Sequence, residues 1–263
     1  MSEADLGEVT VAARDGKPAR RLAVAVRPAR GEGAARPGVV WLGGFRSDME
    51  SGKALALDGW AARTGRGFAR FDYSGHGRSE GRFDDGTIGQ WLDDAVAVIL
   101  ARTAGPQILV GSSMGAWIAL LAIRLLASAG EGDRVAGSVL IAPAVDFTER
   151  LMWARMPEAA RQQLLRDGLW LRPSAHGDPY PITRALIEDG REHLLLDGVI
   201  EPLGPVHILQ GMRDEDVPWQ HAMTLVEHLG SEAVSLTLVR DGEHRLSRAE
   251  DLAKLIAAVE NLV

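Results

Sequence analysis

The chain reads as an α/β protein with an eight-stranded, mostly parallel sheet, helices on both faces and a small helical cap insertion. Three observations lead there. Short apolar runs alternate with segments of helical periodicity through most of the 263 residues. The later runs are continuously apolar, as strands covered on both faces must be. One long stretch, residues 147–200, breaks the alternation. Such an order implies a doubly wound sheet, whose functional groups gather outside the carboxyl ends of the strands.

Residues 8–13 and 22–27 alternate apolar and polar side chains, which predicts an antiparallel edge hairpin with one wet face. Buried strands are expected at 38–42, 68–71, 107–110, 137–141, 206–209 and 234–239. Helical patterns occupy 51–64, 88–102, 114–127, 219–229 and 247–262. In the insertion, Pro157, Pro173, Pro179 and Pro181 discourage strands, and none is predicted. Met152, Trp153, Met156, Ala160 and Leu164 recur at roughly helical spacing and give one apolar face. Residues 147–200 are therefore expected to cap the strand ends within a single domain spanning 1–263. A packed peripheral helix pair is the plainer alternative.

Composition narrows the function. Hydrophobic residues make up 46% and charged residues 25%, the balance of an ordinary globular chain. With no cysteine, disulfides, thiolate metal sites and a cysteine nucleophile are excluded. A formal charge of −7 and no dense basic patch argue against a nucleic-acid partner. The apolar segment 116–127 contains Arg124 and is too short to span a bilayer. The polar, acidic start has neither the apolar core of a secretory signal nor the arginine-rich character of a transit peptide, so a cytoplasmic protein is expected.

The chemistry centres on Gly111-Ser112-Ser113-Met114-Gly115, between a strand pattern and a helix pattern. A sharp strand-to-helix turn around Gly-x-Ser-x-Gly lifts the serine Oγ clear of the backbone and points new helix N–H groups at it. Ser113 is the candidate nucleophile. A second match, Gly77-Arg78-Ser79-Glu80-Gly81, lies between polar stretches, and its Ser79 reads as part of a tight loop. A serine nucleophile needs a histidine base and a carboxylate to orient it. After the seventh predicted strand Asp214 precedes Val217-Pro218, with Asp216 as a rival acid; after the eighth, His244 sits in a glycine-containing loop ahead of a Ser247 cap. Oxyanion donors are expected from the backbone N–H of Met114 and of Phe45, the latter freed by Gly43 and Gly44. His76 reads as structural and His207, inside a buried strand pattern, as core; His176, His193, His221 and His228 show no metal-ligand spacing.

The pieces WLGGF, FDYSGHGRSEG, GSSMG, GMRDEDVP and GEHRLS, in this order, make the chain resemble the α/β-hydrolase superfamily over nearly its whole length. With the insertion sequence GDPYPITRALIEDGREHLLL, it looks most like the branch containing the mycophenolic acid acyl-glucuronide esterase and S-depalmitoylase. The resemblance implies Ser113 as nucleophile, Asp214 as acid and His244 as base, in a serine hydrolase of carboxylic ester or thioester bonds. No metal or organic cofactor is expected, and the partner is a small acyl ester or thioester. Carbon–carbon bond hydrolysis or acyl transfer on the same triad, and a non-catalytic small-molecule-binding module, stand as alternatives. Trp153, Met156, Leu164 and Trp170 are the candidate substrate-binding side chains. Five arginines against two acids between Arg150 and Arg172 suggest a solvated helix face, with an acidic leaving group as the other reading.

Overall fold

The computed structural model describes residues 4–14, 16–173 and 179–262. Backbone pairing orders eight strands as β1 (Asp5–Val11), β2 (Arg20–Arg27), β4 (Phe68–Phe71), β3 (Gly38–Leu42), β5 (Gln107–Ser112), β6 (Val135–Ile141), β9 (Val206–Gly211) and β10 (Val234–Val239). β1 and β2 form the antiparallel edge hairpin, β2 also pairs antiparallel with β4, and every later pairing is parallel. β3, β4, β5 and β6 are almost wholly buried, because helices cover both faces. β10 differs from the expectation of a doubly covered strand: as the sheet edge it keeps most side chains half-buried or exposed. His207 changes character for the same reason. It is half-buried rather than core, and its ring bonds Thr237 Oγ1 at 3.0 Å and Ser235 Oγ at 2.8 Å on β10.

One face carries α1 (Gly52–Thr64) and α7 (Ala249–Asn261). The other carries α2 (Ile88–Arg102), α3 (Met114–Ser128) and α6 (Trp219–His228). Local chemistry sets these boundaries. Thr87 Oγ1 accepts Gln90 N–H to start α2, and Gly65 takes a left-handed φ of 71° to end α1. α7 begins later than expected: Arg248 is its N-cap, answered by the Asp251 carboxylate, while Ser247 Oγ donates instead to Arg245 O. α3, apolar almost all round, packs on the central strands beside α2 and is buried along most of its length.

Residues 147–200 hold a π-helical turn at Thr148–Trp153, then α4 (Glu158–Asp167), β7 (Leu169–Arg172), β8 (Tyr180–Thr183) and α5 (Arg184–Arg191). The β7–β8 ribbon was not expected from four prolines. Pro181 fits because a two-stranded ribbon leaves an outer edge that needs no N–H donor. Pro157 stands at the N-cap of α4, so the apolar face divides between two short helices instead of forming one. Asp146 ties the segment to the sheet: its buried carboxylate accepts the N–H of Leu195 and of Leu196, both at 2.9 Å. That burial raises its pKa. Among the described residues no helix is long and apolar enough to cross a membrane.

Candidate active site

Parallel strands deliver their carboxyl ends to one rim, and three loops there converge. β5 breaks into α3 at Ser113, whose backbone sits at φ 55°, ψ −118°. A non-glycine residue is strained there, and the strain holds Oγ out from the turn. The turn closes because its glycines admit backbone where a Cβ would collide. A Cβ at Gly111 would lie 2.3 Å from Gly115 O, and one at Gly115 would lie 2.1 Å from Leu42 O.

Ser113 Oγ lies 3.1 Å from His244 Nε2, and His244 Nδ1 lies 2.7 Å from Asp214 Oδ2. The loops after β5, β9 and β10 thus meet in one chain of hydrogen bonds. Asp214 is buried, and its other oxygen accepts the N–H of Asp216 at 3.0 Å and of Val217 at 2.8 Å. Gln210, fully buried at the end of β9, donates to Asp214 Oδ2 at 3.3 Å and to the carbonyls of Gly211 and Val217. Asp216 contributes its backbone N–H to this arrangement. Asp214, Asp216 and His244 bring ligand-type atoms within 4.8 Å of one another. Both Asp214 oxygens are already engaged by His244 and by backbone N–H groups, so the cluster is a hydrogen-bonded pair rather than an open coordination sphere.

The loop after β3 runs beside the nucleophile: a Cβ at Gly44 would lie 3.5 Å from Ser113 Cβ. Phe45 is held by edge-on contacts with Phe83, Trp91, Phe147 and Tyr180, at centroid distances of 4.9 to 6.1 Å. Arg46 N–H donates to His76 Nε2 at 3.2 Å, and His76 Nδ1–H donates to Ser74 O at 3.2 Å. Accepting at Nε2 needs a neutral ring, and burial lowers the His76 pKa accordingly, against the Ser74 bond that raises it. Ser79, in the decoy motif, donates to Asp72 O and accepts Ala23 N–H, which pins the loop to β2.

A cleft of about 470 Å³ opens over Ser113 and His244. Phe147, Leu151, Met152, Tyr180 and Val217 line it, with Arg46, Arg155 and Arg172 among its polar groups. None of Trp153, Met156, Leu164 and Trp170 lines this cleft. Met156 and Leu164 are buried in the core; Trp153 packs under the guanidinium groups of Arg161 and Arg191, and Trp170 packs on the core from β7. Leu151 and Met152, both in the π-helical turn, border the cleft together with Ser113. The arginines divide too. Arg150 and Arg166 form ion pairs and Arg161 lies beside Glu158, whereas Arg155 and Arg172 reach the cleft. Arg46 lies 4.4 Å over the Tyr180 ring, with Arg172 at 5.9 Å. Gln210 announces itself in the sequence as a polar residue ending an apolar run; the Arg46–Tyr180 pair carries no such signal. His221 Nε2–H donates to Val145 O, His193 lies 3.7 Å from Asp189, and His228 bonds Thr224 O. His176 lies outside the described residues.

Residues 35–188 match the family model described as serine aminopeptidase, S33. The palmitoyl-protein thioesterase ABHD10, mitochondrial, of Mus musculus is 32% identical over 86% of this chain and 75% of its own length. The same-named protein of Bos taurus is 31% identical over 86% of this chain and 73% of its own. Among solved structures, one from Agrobacterium vitis S4 superposes with a TM-score of 0.94 at 46% identity, covering 100% of both chains. Mouse alpha/beta hydrolase domain-containing protein 10 gives 0.85 at 29% identity over 98% of both. The cytoplasmic expectation is overturned by the curated relatives, which are mitochondrial by name. A polar opening stretch reports local composition and does not decide a compartment.

Proposed function

We infer a mechanism from family and geometry together: the chain belongs to the α/β-hydrolase superfamily, and it is a serine hydrolase of carboxylic ester and thioester bonds. Ser113 is the nucleophile, His244 the general base and Asp214 the acid that orients it. The observation that carries this reading is the unbroken pair of contacts, 3.1 Å and 2.7 Å, from Ser113 through His244 to Asp214.

Ser113 Oγ attacks the acyl carbon as its proton passes to His244 Nε2. The Asp214 carboxylate keeps the Nδ1–H tautomer and balances the imidazolium charge. Backbone N–H groups of Phe45 and Met114 receive the oxyanion, worth about 3–4 kcal/mol for a single such donor. His244 then returns the proton to the departing alcohol or thiol, and a water activated by the same ring releases the acid. Residues 147–200 act as a cap on one 1–263 domain, and Phe147, Leu151 and Met152 supply an apolar slot for the acyl chain. The activity named for the ABHD10 relatives makes a fatty S-acyl thioester the substrate class of choice.

The test is an acyl-chain series of p-nitrophenyl esters and thioesters, with a fluorophosphonate probe alongside. Wild type is expected to turn over and to be labelled, and Ser113→Ala to do neither. Labelling of Ser113→Ala at the wild-type rate would refute the assignment.

A further inference from the structure

Ser113 and His244 also border a second cleft, of about 520 Å³, between the β3–α1 loop and the loop that carries His244. Trp41, Ser47, Ser51, Lys53 and Arg245 stand along it, and Gly44 and Gly52 leave it open. Trp41 is only 1% exposed, yet its indole Nε1–H meets no acceptor among the described residues. Ser51 Oγ is likewise buried without a partner there. Enclosed donors of this kind are costly unless something fills the space beside them.

The charges point the same way. α1 begins at this cleft; Ser51 occupies its N-cap without making a side-chain capping bond, and its first turn holds no acid. Lys53 sits in that turn, where the helix dipole disfavours a cation. Its Nζ donates to Arg245 O, and burial together with the charge of Arg245 lowers its pKa to about 8. The nearby acids have other partners, although the Asp251 charge still offsets part of the lowering at Lys53. Asp48 accepts Glu50 N–H, Glu50 pairs with Arg78, and Asp251 is held by Arg248. A helix N-terminus, the cations Arg46, Lys53 and Arg245, and the two residues with unpartnered donors, Trp41 and Ser51, therefore line one open space beside the nucleophile.

We propose that this cleft is a phosphoryl subsite, seating a phosphate carried on the leaving group of the substrate. The proposal rests on Ser113 and His244 acting as described above. A phosphate presents three oxygens to such a donor set, whereas a carboxylate presents two. Phe147, Leu151, Met152 and Val217 line the other cleft, and the acyl chain is placed against them. The departing group, which takes its proton from His244, occupies this one.

S-butanoyl-2-mercaptoethyl phosphate and S-butanoyl-2-mercaptoethanol share acyl group and thiol and differ by the phosphate. Wild type is expected to prefer the phosphorylated thioester by about tenfold in kcat/KM, mainly through KM. Lys53→Gln loses that preference and Lys53→Arg keeps most of it. Inorganic phosphate is expected to bind Ser113→Ala in calorimetry and not the Ser113→Ala/Lys53→Gln double variant, which tests the site without turnover. Equal wild-type rates on the two thioesters, or phosphate binding indifferent to Lys53, would overturn the subsite while leaving the hydrolase reading intact. A stronger preference for S-butanoyl-3-mercaptopropionate would overturn phosphate in favour of carboxylate. Wild type inert toward every thioester and toward fluorophosphonate would defeat the hydrolase reading instead, and phosphate binding to Ser113→Ala would still decide the subsite.

Discussion

Asp214 reaches His244 with a carboxylate oxygen at 2.7 Å, whereas Asp216, two residues on, offers Asp214 only its backbone N–H. The rival acids therefore have unequal parts. In Asp214→Asn the amide can present an N–H to Nδ1, which favours the wrong imidazole tautomer. A loss in kcat of about 10⁴-fold is expected, as for other triads deprived of their carboxylate. Asp216→Asn keeps its N–H and should stay within a few-fold of wild type. Steady-state rates on one p-nitrophenyl ester compare them directly, and a larger loss in Asp216→Asn would reverse the assignment.

How much of this was legible in the chain depends on whether the signal was local. The β5–α3 turn was readable because Gly111 and Gly115 flank Ser113 at the junction of two apolar runs, where backbone packing requires glycine. The order Ser113, Asp214, His244 was readable because parallel strands send each following loop to one rim. The lining of the cleft was less so. Pro157 splits the insertion and a π-helical turn precedes it, so the helical spacing of Met152, Trp153, Met156 and Leu164 does not tell that Met152 borders the cleft and the other three do not. β7 and β8 escaped because their pairing is a property of two distant segments, and Pro181 is prohibitive only in a central strand. The exposure of β10, and with it His207, follows from its place in the strand order, which one strand's composition does not encode.

His76 should couple the β3–α1 loop to pH. Its folded pKa lies below 6.5, so as pH falls the unfolded chain takes up the proton first. Stability is fully present above about pH 6.5 and declines as pH drops from there through the folded pKa. His193, His207 and His221 are also lowered by burial and pull in the same direction. His76→Gln removes one share, and its urea-derived stability should fall less steeply between pH 7 and 5, those bounds being about the histidine range. A profile parallel to wild type would mean that the Arg46 N–H contact carries no linkage.

Gly115 is required by contact rather than by φ. Its absent Cβ would meet the carbonyl oxygens of Leu42 and Gly43 at 2.1 and 2.5 Å, both backbone atoms of the neighbouring strand and loop. Neither can swing aside as a side-chain tip would. Gly115→Ala must push α3 away from β3, and overpacking of this kind costs about 1–3 kcal/mol. The displacement also moves Met114 N–H relative to Phe45 N–H. Chemical denaturation should therefore show the stability loss, and the surviving folded protein should show a reduced kcat; wild-type values for both would contradict the packing argument.

Leu151 lines the cleft from the π-helical turn and is only partly buried, so a larger side chain can enter the proposed acyl slot without unseating the core. Leu151→Trp is expected to shorten the slot, and short-chain esters should be hydrolysed nearly as in wild type. Each methylene that no longer fits forfeits about 1 kcal/mol or more of transition-state binding, so kcat/KM for the longest chains should fall at least about tenfold. Trp153→Ala, by contrast, empties a site beneath Arg161 and Arg191 outside the cleft, and should lower thermal stability with little change in chain preference. If Trp153→Ala shifted the chain-length optimum and Leu151→Trp did not, the acyl group would have to run on the far side of the turn, away from Phe147 and Met152.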